Sequence, residues 1–469
     1  MYFAKFTPMP PSPDDDLSAP HRRRRVRRMH RAIDLWHRGA AWILGPVVVG
    51  LLGVFLAVQS EYATKANKLL IAAFPLAPLV IMPAGFALIT YLSVRFFAVT
   101  AGSGIPQTIA ALDDPEPRKK NHLLSLRIIV GKIVFTLGSL SIGASVGREG
   151  PTVQIGASVM HFFYGRGPFQ TPELRRILIL AGGAAGIAAA FNTPLAGIMF
   201  AIEELSKKHV FNASKSSLIT VVFAGLISLF LLGNYTYFGT TDASLDWRSA
   251  AGAIFVCGLL GGGAGGLFSR AMIAGTSGLP SSLDAYVRAR PLVFAAACGL
   301  AVALIGFFTD NIVFGTGYDV TRWTLQDERL LPWYFGIAKM AATLLSAVSG
   351  IPGGIFAPSL AVGAGIGDNV AALLPSIAPH SAIVILVMAA YLSGVTRAPI
   401  TSFVIMMEMT NSHQMLLPLM SASVVASGVA KLVCQEPLYQ ALAERFLPSL
   451  PPQAVPPAVM QKSEPMSKP

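Results

Sequence analysis

The chain has 469 residues, 53% of them hydrophobic and 13% charged, with a mean hydropathy of +0.58 and a formal net charge of +12. A soluble domain carries about a quarter charged residues, so this composition excludes an ordinary soluble fold and describes a polytopic membrane protein. The positive excess does not indicate a nucleic-acid partner, because its densest run stands immediately before the first apolar segment.

That run, HRRRRVRRMHR at 21–31, belongs to a basic N-terminal segment, residues 1–34, which the positive-inside rule places on the cytoplasmic side. No short apolar stretch with a small-residue cleavage site follows it, so a cleavable signal peptide is not expected. The membrane portion, residues 35–446, opens with AWILGPVVVGLLGVFLAV at 41–58 and continues through LITVVFAGLISLFLLG at 218–233 and IVILVMAAYLSGV at 383–395. A membrane-crossing helix needs roughly 20 apolar residues, and many runs here are shorter or interrupted. The 44 glycines and 33 prolines therefore predict broken and re-entrant helices. In lipid such backbone survives where it is buried in protein or lines a polar cavity, so the breaks mark a transport path.

Three breaks follow one another along the chain: GSGIP at 102–106, GREGP at 147–151 and GGIFAP at 353–358. In each, glycines precede a proline placed near a helix start, where its missing N–H costs nothing. The first amides of such a helix have no carbonyl partner and carry the positive end of the dipole. Facing a cavity, they form an anion site. Several such ends meeting at mid-membrane would hold a small anion without a full positive charge, weakly enough to let it leave. Further along, Cys257, Cys298 and Cys434 lie in or beside apolar segments and are expected to pack as apolar residues. The eight histidines form no metal-like pattern, and no nucleophile–base pair is visible, so an enzyme is disfavoured. The tail at 447–469 is proline-rich and expected to be disordered.

The sequence also repeats itself. At a separation of 207 residues Lys132 meets Lys339, Thr136 meets Thr343, Gly143 meets Gly350, Gly147 meets Gly354 and Pro151 meets Pro358. At 205, Pro194 meets Pro399 and Glu203 meets Glu408. The halves run over about 70–235 and 250–434. Interrupted segments at matching positions of two repeats point to a transporter site between them. These matches leave open whether the halves are inverted or parallel.

In order and spacing, GSGIP, GREGP and GGIFAP resemble the signature motifs of the CLC family of chloride channels and chloride/proton antiporters, and EPLYQAL at 436–442 resembles its segment with a pore tyrosine. The resemblance covers about residues 35–446 and is to the prokaryotic type, without C-terminal CBS domains. It implies an all-α polytopic fold of two inverted repeats, assembled as a homodimer with one pathway per subunit, in the inner (plasma) membrane with both termini cytoplasmic. Ser103 and Tyr439 would offer hydroxyls to a dehydrated chloride, with the amides of Ile355 and Phe356. Gly104, Ile105, Gly147, Arg148, Gly150 and Ala357 complete the anion-binding set, although Arg148 itself reads as more structural than ligating. Glu149 would be the gate: ionised, it mimics the anion and blocks the site; protonated, it swings away. Burial and the helix ends pull its proton affinity in opposite directions. Glu204 matches the inner proton-transfer glutamate, with Glu203 beside it.

The transported species are then chloride and protons; no cofactor or metal is implied, and no nucleic-acid partner. The alternative function is a passive CLC chloride channel, against which Glu204 argues. A fluoride exporter departs from the serine and tyrosine kept here, and nitrate preference goes with proline in place of Ser103. Other readings of the residues are an interfacial salt bridge between Glu149 and Arg148, an N-cap role for Ser103, a membrane-interface anchor at Tyr439, and a solvent-facing helix end at Glu203 and Glu204. Gln107 follows GSGIP where many members carry an acid, which leaves that position without an assigned role.

Overall fold

The computed structural model describes residues 39–114, 122–166, 169–207, 215–233, 237–239, 241, 244–245, 247–277, 281–326, 330–375 and 378–447. The basic segment 1–34 and almost all of the proline-rich tail lie outside these residues. The described chain is helical, with isolated bridges in place of strands. Its first half holds α1 (Gly45–Ala73), α2 (Ala77–Phe96), α3 (Ile105–Asp113), α4 (Leu126–Ser141), α5 (Glu149–His161), α6 (Pro172–Phe191), α7 (Pro194–Phe200) and α8 (Lys215–Leu232). The second holds α9 (Trp247–Ser277), α10 (Ser281–Ala289), α11 (Pro291–Phe308), α12 (Tyr318–Gln326), α13 (Phe335–Val348), α14 (Phe356–Leu373), α15 (His380–Thr396), α16 (Pro399–Thr410), α17 (Leu416–Val433) and α18 (Leu438–Ala443).

Seven helices among the described residues are long and apolar enough to cross a membrane, and four apolar helices are shorter. Burial sorts them. In α6 and α14, 83% and 78% of the apolar window is covered by protein, against half or less in the other five. The pairs α5–α6 and α14–α15 form the centre, and Phe55, Val80, Phe230 and Phe308 are among the large apolar side chains left on the outside for lipid. Cys257, Cys298 and Cys434 are buried and unbridged, as packing residues should be.

The duplication extends further than the sequence matches. Both central broken helices begin at corresponding residues, Glu149 and Phe356. Helices α6 and α15 each end in a left-handed residue, Asn192 (φ 59°) and Arg397 (φ 56°), and each is followed by a proline-started helix. Gly102 and Gly104 have positive φ, and so have Gly315 and Gly317, 213 residues on, so GSGIP has a structural counterpart in GTGYD at 315–319. Two lysines complete the match. Lys132 donates to the carbonyls of Thr100 (2.9 Å) and Gly102 (2.7 Å), and Lys339 to those of Val313 and Gly315, both at 2.7 Å. Each ammonium is wholly buried, where an unpaired charge would be very costly. The two carbonyls make that burial tolerable and fix the loop that carries them.

A reciprocal contact ties the halves together. Glu203 accepts from the amides of Ile400 (3.0 Å) and Thr401 (2.7 Å) at the start of α16, and Glu408 accepts from Leu195 (3.2 Å) and Ala196 (2.7 Å) at the start of α7. Each repeat thus caps the broken helix of the other with a carboxylate placed at the positive dipole end. Glu408→Ala is expected to destabilise the fold by about 1–2 kcal/mol, and Glu408→Gln by less, since an acceptor oxygen remains. Thermal unfolding in detergent checks this; equal losses for the two variants would show that the cap is not what stabilises.

Candidate anion and proton site

The three glycine-rich loops meet one another through backbone contacts. Gly147 and Gly354, equivalent in the two repeats, exchange two backbone hydrogen bonds of 2.7 Å, while Gly102 donates to Ile351 and accepts from Gly353, both at 3.2 Å. Packing is closest where glycine is required. A Cβ on Gly354 would lie 2.8 Å from the amide nitrogen of Gly150, and one on Gly104 (φ 104°) 2.9 Å from the Gly150 carbonyl. No side chain larger than hydrogen lets these three loops approach one another.

From this junction α3, α5 and α14 start at Ile105, Glu149 and Phe356. Their first amides lack helical acceptors. The carbonyl of Gly102 is turned toward Lys132 and Gly353. Because the peptide is planar and trans, the Ser103 amide points the opposite way. Lys132 and Gly353 together fix the Gly102 carbonyl, which leaves the Ser103 amide on the opposite side.

Ser103 and Tyr439 lie side by side: the two hydroxyls face one another, and neither makes a well-aligned hydrogen bond among the described residues. Ser103 is not the N-cap of α3; Gly104 holds that position, without a side-chain cap. Nor is Tyr439 an interfacial anchor, since it is 0% exposed. Its ring stacks on Phe356 (6.1 Å between centroids, 10° between planes), which in turn contacts Phe191 and Phe200. These rings wall the site with apolar surface and orient the phenol. Ile355 and Ala357 are buried beside Phe356, so the start of α14 lies within the same walls.

Glu149 is wholly buried at the first position of α5. Its carboxylate lies against the amides of Arg148, Glu149 itself and Ala357, yet neither oxygen makes a hydrogen bond of good geometry. A Cβ on Gly147 would collide with its Oε2. The group is thus folded between the starts of α5 and α14, in loose contact with both. Arg148 points elsewhere: its guanidinium donates to the Ala57 carbonyl (2.7 Å) and lies over the Tyr237 ring, 5.5 Å from the centroid. Its backbone belongs to the site and its side chain anchors α5 to α1. No salt bridge joins Arg148 to Glu149 among the described residues.

Glu203 and Glu204 sit on a π-helical turn, Ala201–Leu205, that continues α7. Successive residues on a helix project roughly 100° apart, and the two glutamates take different surroundings. Both oxygens of Glu203 accept from α16 amides, whereas Glu204 is 0% exposed, with Oε2 on Lys207 (2.6 Å) and Oε1 without a partner. The Tyr439 hydroxyl lies within electrostatic reach of both Glu204 and Glu149. Gln107 has a definite task. Its Nε2 donates to the carbonyls of Ala101 (2.6 Å) and Val99 (3.3 Å), steadying the strand of chain that leads into GSGIP. An ionised acid has no donor for those carbonyls.

Residues 85–431 match the family model described as the voltage gated chloride channel family, and the chain belongs to that family. The H(+)/Cl(-) exchange transporter ClcA of Yersinia pseudotuberculosis is 32% identical over 433 residues, covering 86% of each chain. Among solved structures, a slow cyanobacterial Cl−/H+ antiporter superposes with a TM-score of 0.72 at 27% identity, covering 87% of this chain and 98% of the other. A CLC-type fluoride/proton antiporter gives the same TM-score at 22% identity over 86% and 97% of the two chains, a likeness of fold alone.

Proposed function

We propose that the protein exchanges chloride for protons across the membrane. One observation carries this reading: Glu149 places a carboxylate, without well-aligned partners, where the amide ends of α5 and α14 face an apolar-walled site. Chloride would occupy the space bounded by Ser103, Tyr439 and the amides of Ile355 and Phe356, with Gly104, Ile105, Gly147, Gly150 and Ala357 shaping it. The carboxylate competes for the same amides when ionised and leaves them when protonated. Glu204 takes the inner proton site, because its buried Oε1 is uncommitted and the Tyr439 hydroxyl lies within electrostatic reach of it. Glu203 serves as the cap of α16.

The exchange names of the Yersinia relative and the cyanobacterial structure, together with Glu204, favour coupled exchange over a passive channel. The inner membrane, cytoplasmic termini and a homodimer belong to the same proposal. Exposed apolar residues on α7, α8, α16 and α17, such as Leu195, Phe223, Ile400 and Val424, offer a face for a second copy.

A pH electrode outside vesicles loaded with a chloride gradient tests the reading. Protons are expected to move opposite to chloride in the wild type. Glu204→Gln should lose the proton signal while chloride still crosses. Chloride flux without any proton movement in the wild type would make the protein a channel.

A further inference from the structure

Lys207 is the direct partner of Glu204, and nothing in the exchange reading above uses it. Its Nζ donates to Glu204 Oε2 at 2.6 Å and approaches the Thr396 carbonyl at 3.4 Å. The side chain of Lys207 is 22% exposed, whereas that of Glu204 is 0% exposed. The ion pair therefore spans the boundary between water and the protein interior. One carboxylate oxygen is held by the ammonium, and the other is buried without a partner.

Among the described residues, the other charged or titratable groups around Glu204 have different commitments. Glu203, on the same turn, is fixed to the amides of α16. Arg397, at the end of α15, gives its guanidinium to the Gln435 carbonyl. Tyr439 of α18 is buried, with its hydroxyl against Ser103. Helix α6, packed on the turn, carries Glu173, Arg175 and Arg176 at its distant start. Among the described residues, Lys207 is thus the cation in direct contact with Glu204, while Arg397 acts on it through space.

We propose that Lys207 is a positioning residue for proton transfer: its ammonium holds Glu204 ionised and oriented toward water, and each proton enters by opening this contact. A hydronium ion gives its proton to Oε2, water leaves, and the neutral carboxyl releases the ammonium, which keeps its own protons and turns to the Thr396 carbonyl and solvent. Loss of the proton toward Glu149 restores the carboxylate and closes the pair. The inference rests on the assignment of Glu204 as the inner proton site.

The test is the proton flux driven by a chloride gradient, measured while the pH on the Lys207 side of the vesicle is varied. An opposite charge in contact favours the ionised carboxylate by about 1–3 pH units. Lys207→Met should therefore move the midpoint of proton transport about 1–3 units toward higher pH. Lys207→Arg, which keeps the charge, should leave the midpoint near the wild-type value. Superimposable wild-type and Lys207→Met profiles overturn the proposal. If Lys207→Met does not fold, judged by lost chloride flux, Lys207→Cys serves in its place. Attaching an aminoethyl thiosulfonate to that cysteine should return the midpoint toward lower pH, and a neutral reagent of similar size should not; equal effects of the two reagents overturn the proposal. Glu204→Gln in parallel separates the two readings. If proton coupling survives in that variant, the assignment of Glu204 fails, and this proposal with it; if coupling is lost there while Lys207→Met is silent, only the role of Lys207 fails.

Discussion

Glu149→Gln in reconstituted vesicles leaves chloride crossing the membrane and reduces proton movement to background leak. Glutamine fills nearly the same volume in this fully buried position, so the surrounding packing of α5 and α14 survives. It loses two things at once. It cannot carry a proton, and it cannot bring negative charge to the amides of Arg148 and Ala357 against which the carboxylate lies. The ionised carboxylate competes with an anion for these amides, so removing it should raise the affinity of the site for chloride. Simultaneous recording of chloride and pH is the measurement. Persistent proton transport would remove Glu149 from the mechanism, and loss of both fluxes would mean that the site had collapsed.

Gly150→Ala is expected to reduce chloride transport by at least about tenfold while leaving a folded protein. The new Cβ would collide with Ser103 Oγ and lie 2.8 Å from the Ser103 carbonyl and 3.2 Å from Gly354 Cα. Neither backbone can retreat. The Gly102 carbonyl is held by Lys132 and Gly353, and Gly354 is paired with Gly147. The movable atom is the Ser103 hydroxyl, which is pushed off the position it needs for an anion. A barrier raised by about 1.4 kcal/mol already costs a factor of ten. Gly428→Ala in α17 is the control: nothing lies within 4 Å of its Cβ, and alanine there should be neutral or stabilising by up to about 1 kcal/mol. Wild-type chloride flux in Gly150→Ala would show that the junction yields more readily than its hydrogen bonds imply.

The starts of the broken helices were legible to within a residue or two, because glycine and proline act on local backbone geometry. GREGP, GGIFAP and GSGIP begin α5, α14 and α3 as their prolines require. Side-chain direction was not legible. In GREGP the arginine and glutamate are neighbours in sequence, yet one reaches Ala57 and the other turns toward Ala357. Glu203 and Glu204 are chemically identical, and the difference between them lies in partners at Ile400, Thr401 and Lys207. The match of Glu203 with Glu408 did hold the signal for the reciprocal caps, since two equivalent acids beside two equivalent prolines have equivalent amides to satisfy. GTGYD escaped notice because the separation there changes from 207 to 213 residues and isoleucine-proline is replaced by tyrosine-aspartate. Positive φ at Gly315 and Gly317 restores the likeness.

The exchanged carboxylates have a consequence during synthesis. The start of α7 waits for an acid 212 positions downstream of Ala196, which at about 5–20 residues per second emerges on the order of 10–40 s later. Throughout that interval the nascent first half sits in the bilayer with two amides facing nothing permanent. A stalled ribosome would therefore leave a half-protein that is inserted but not closed, exposed to quality-control proteases until the second half arrives.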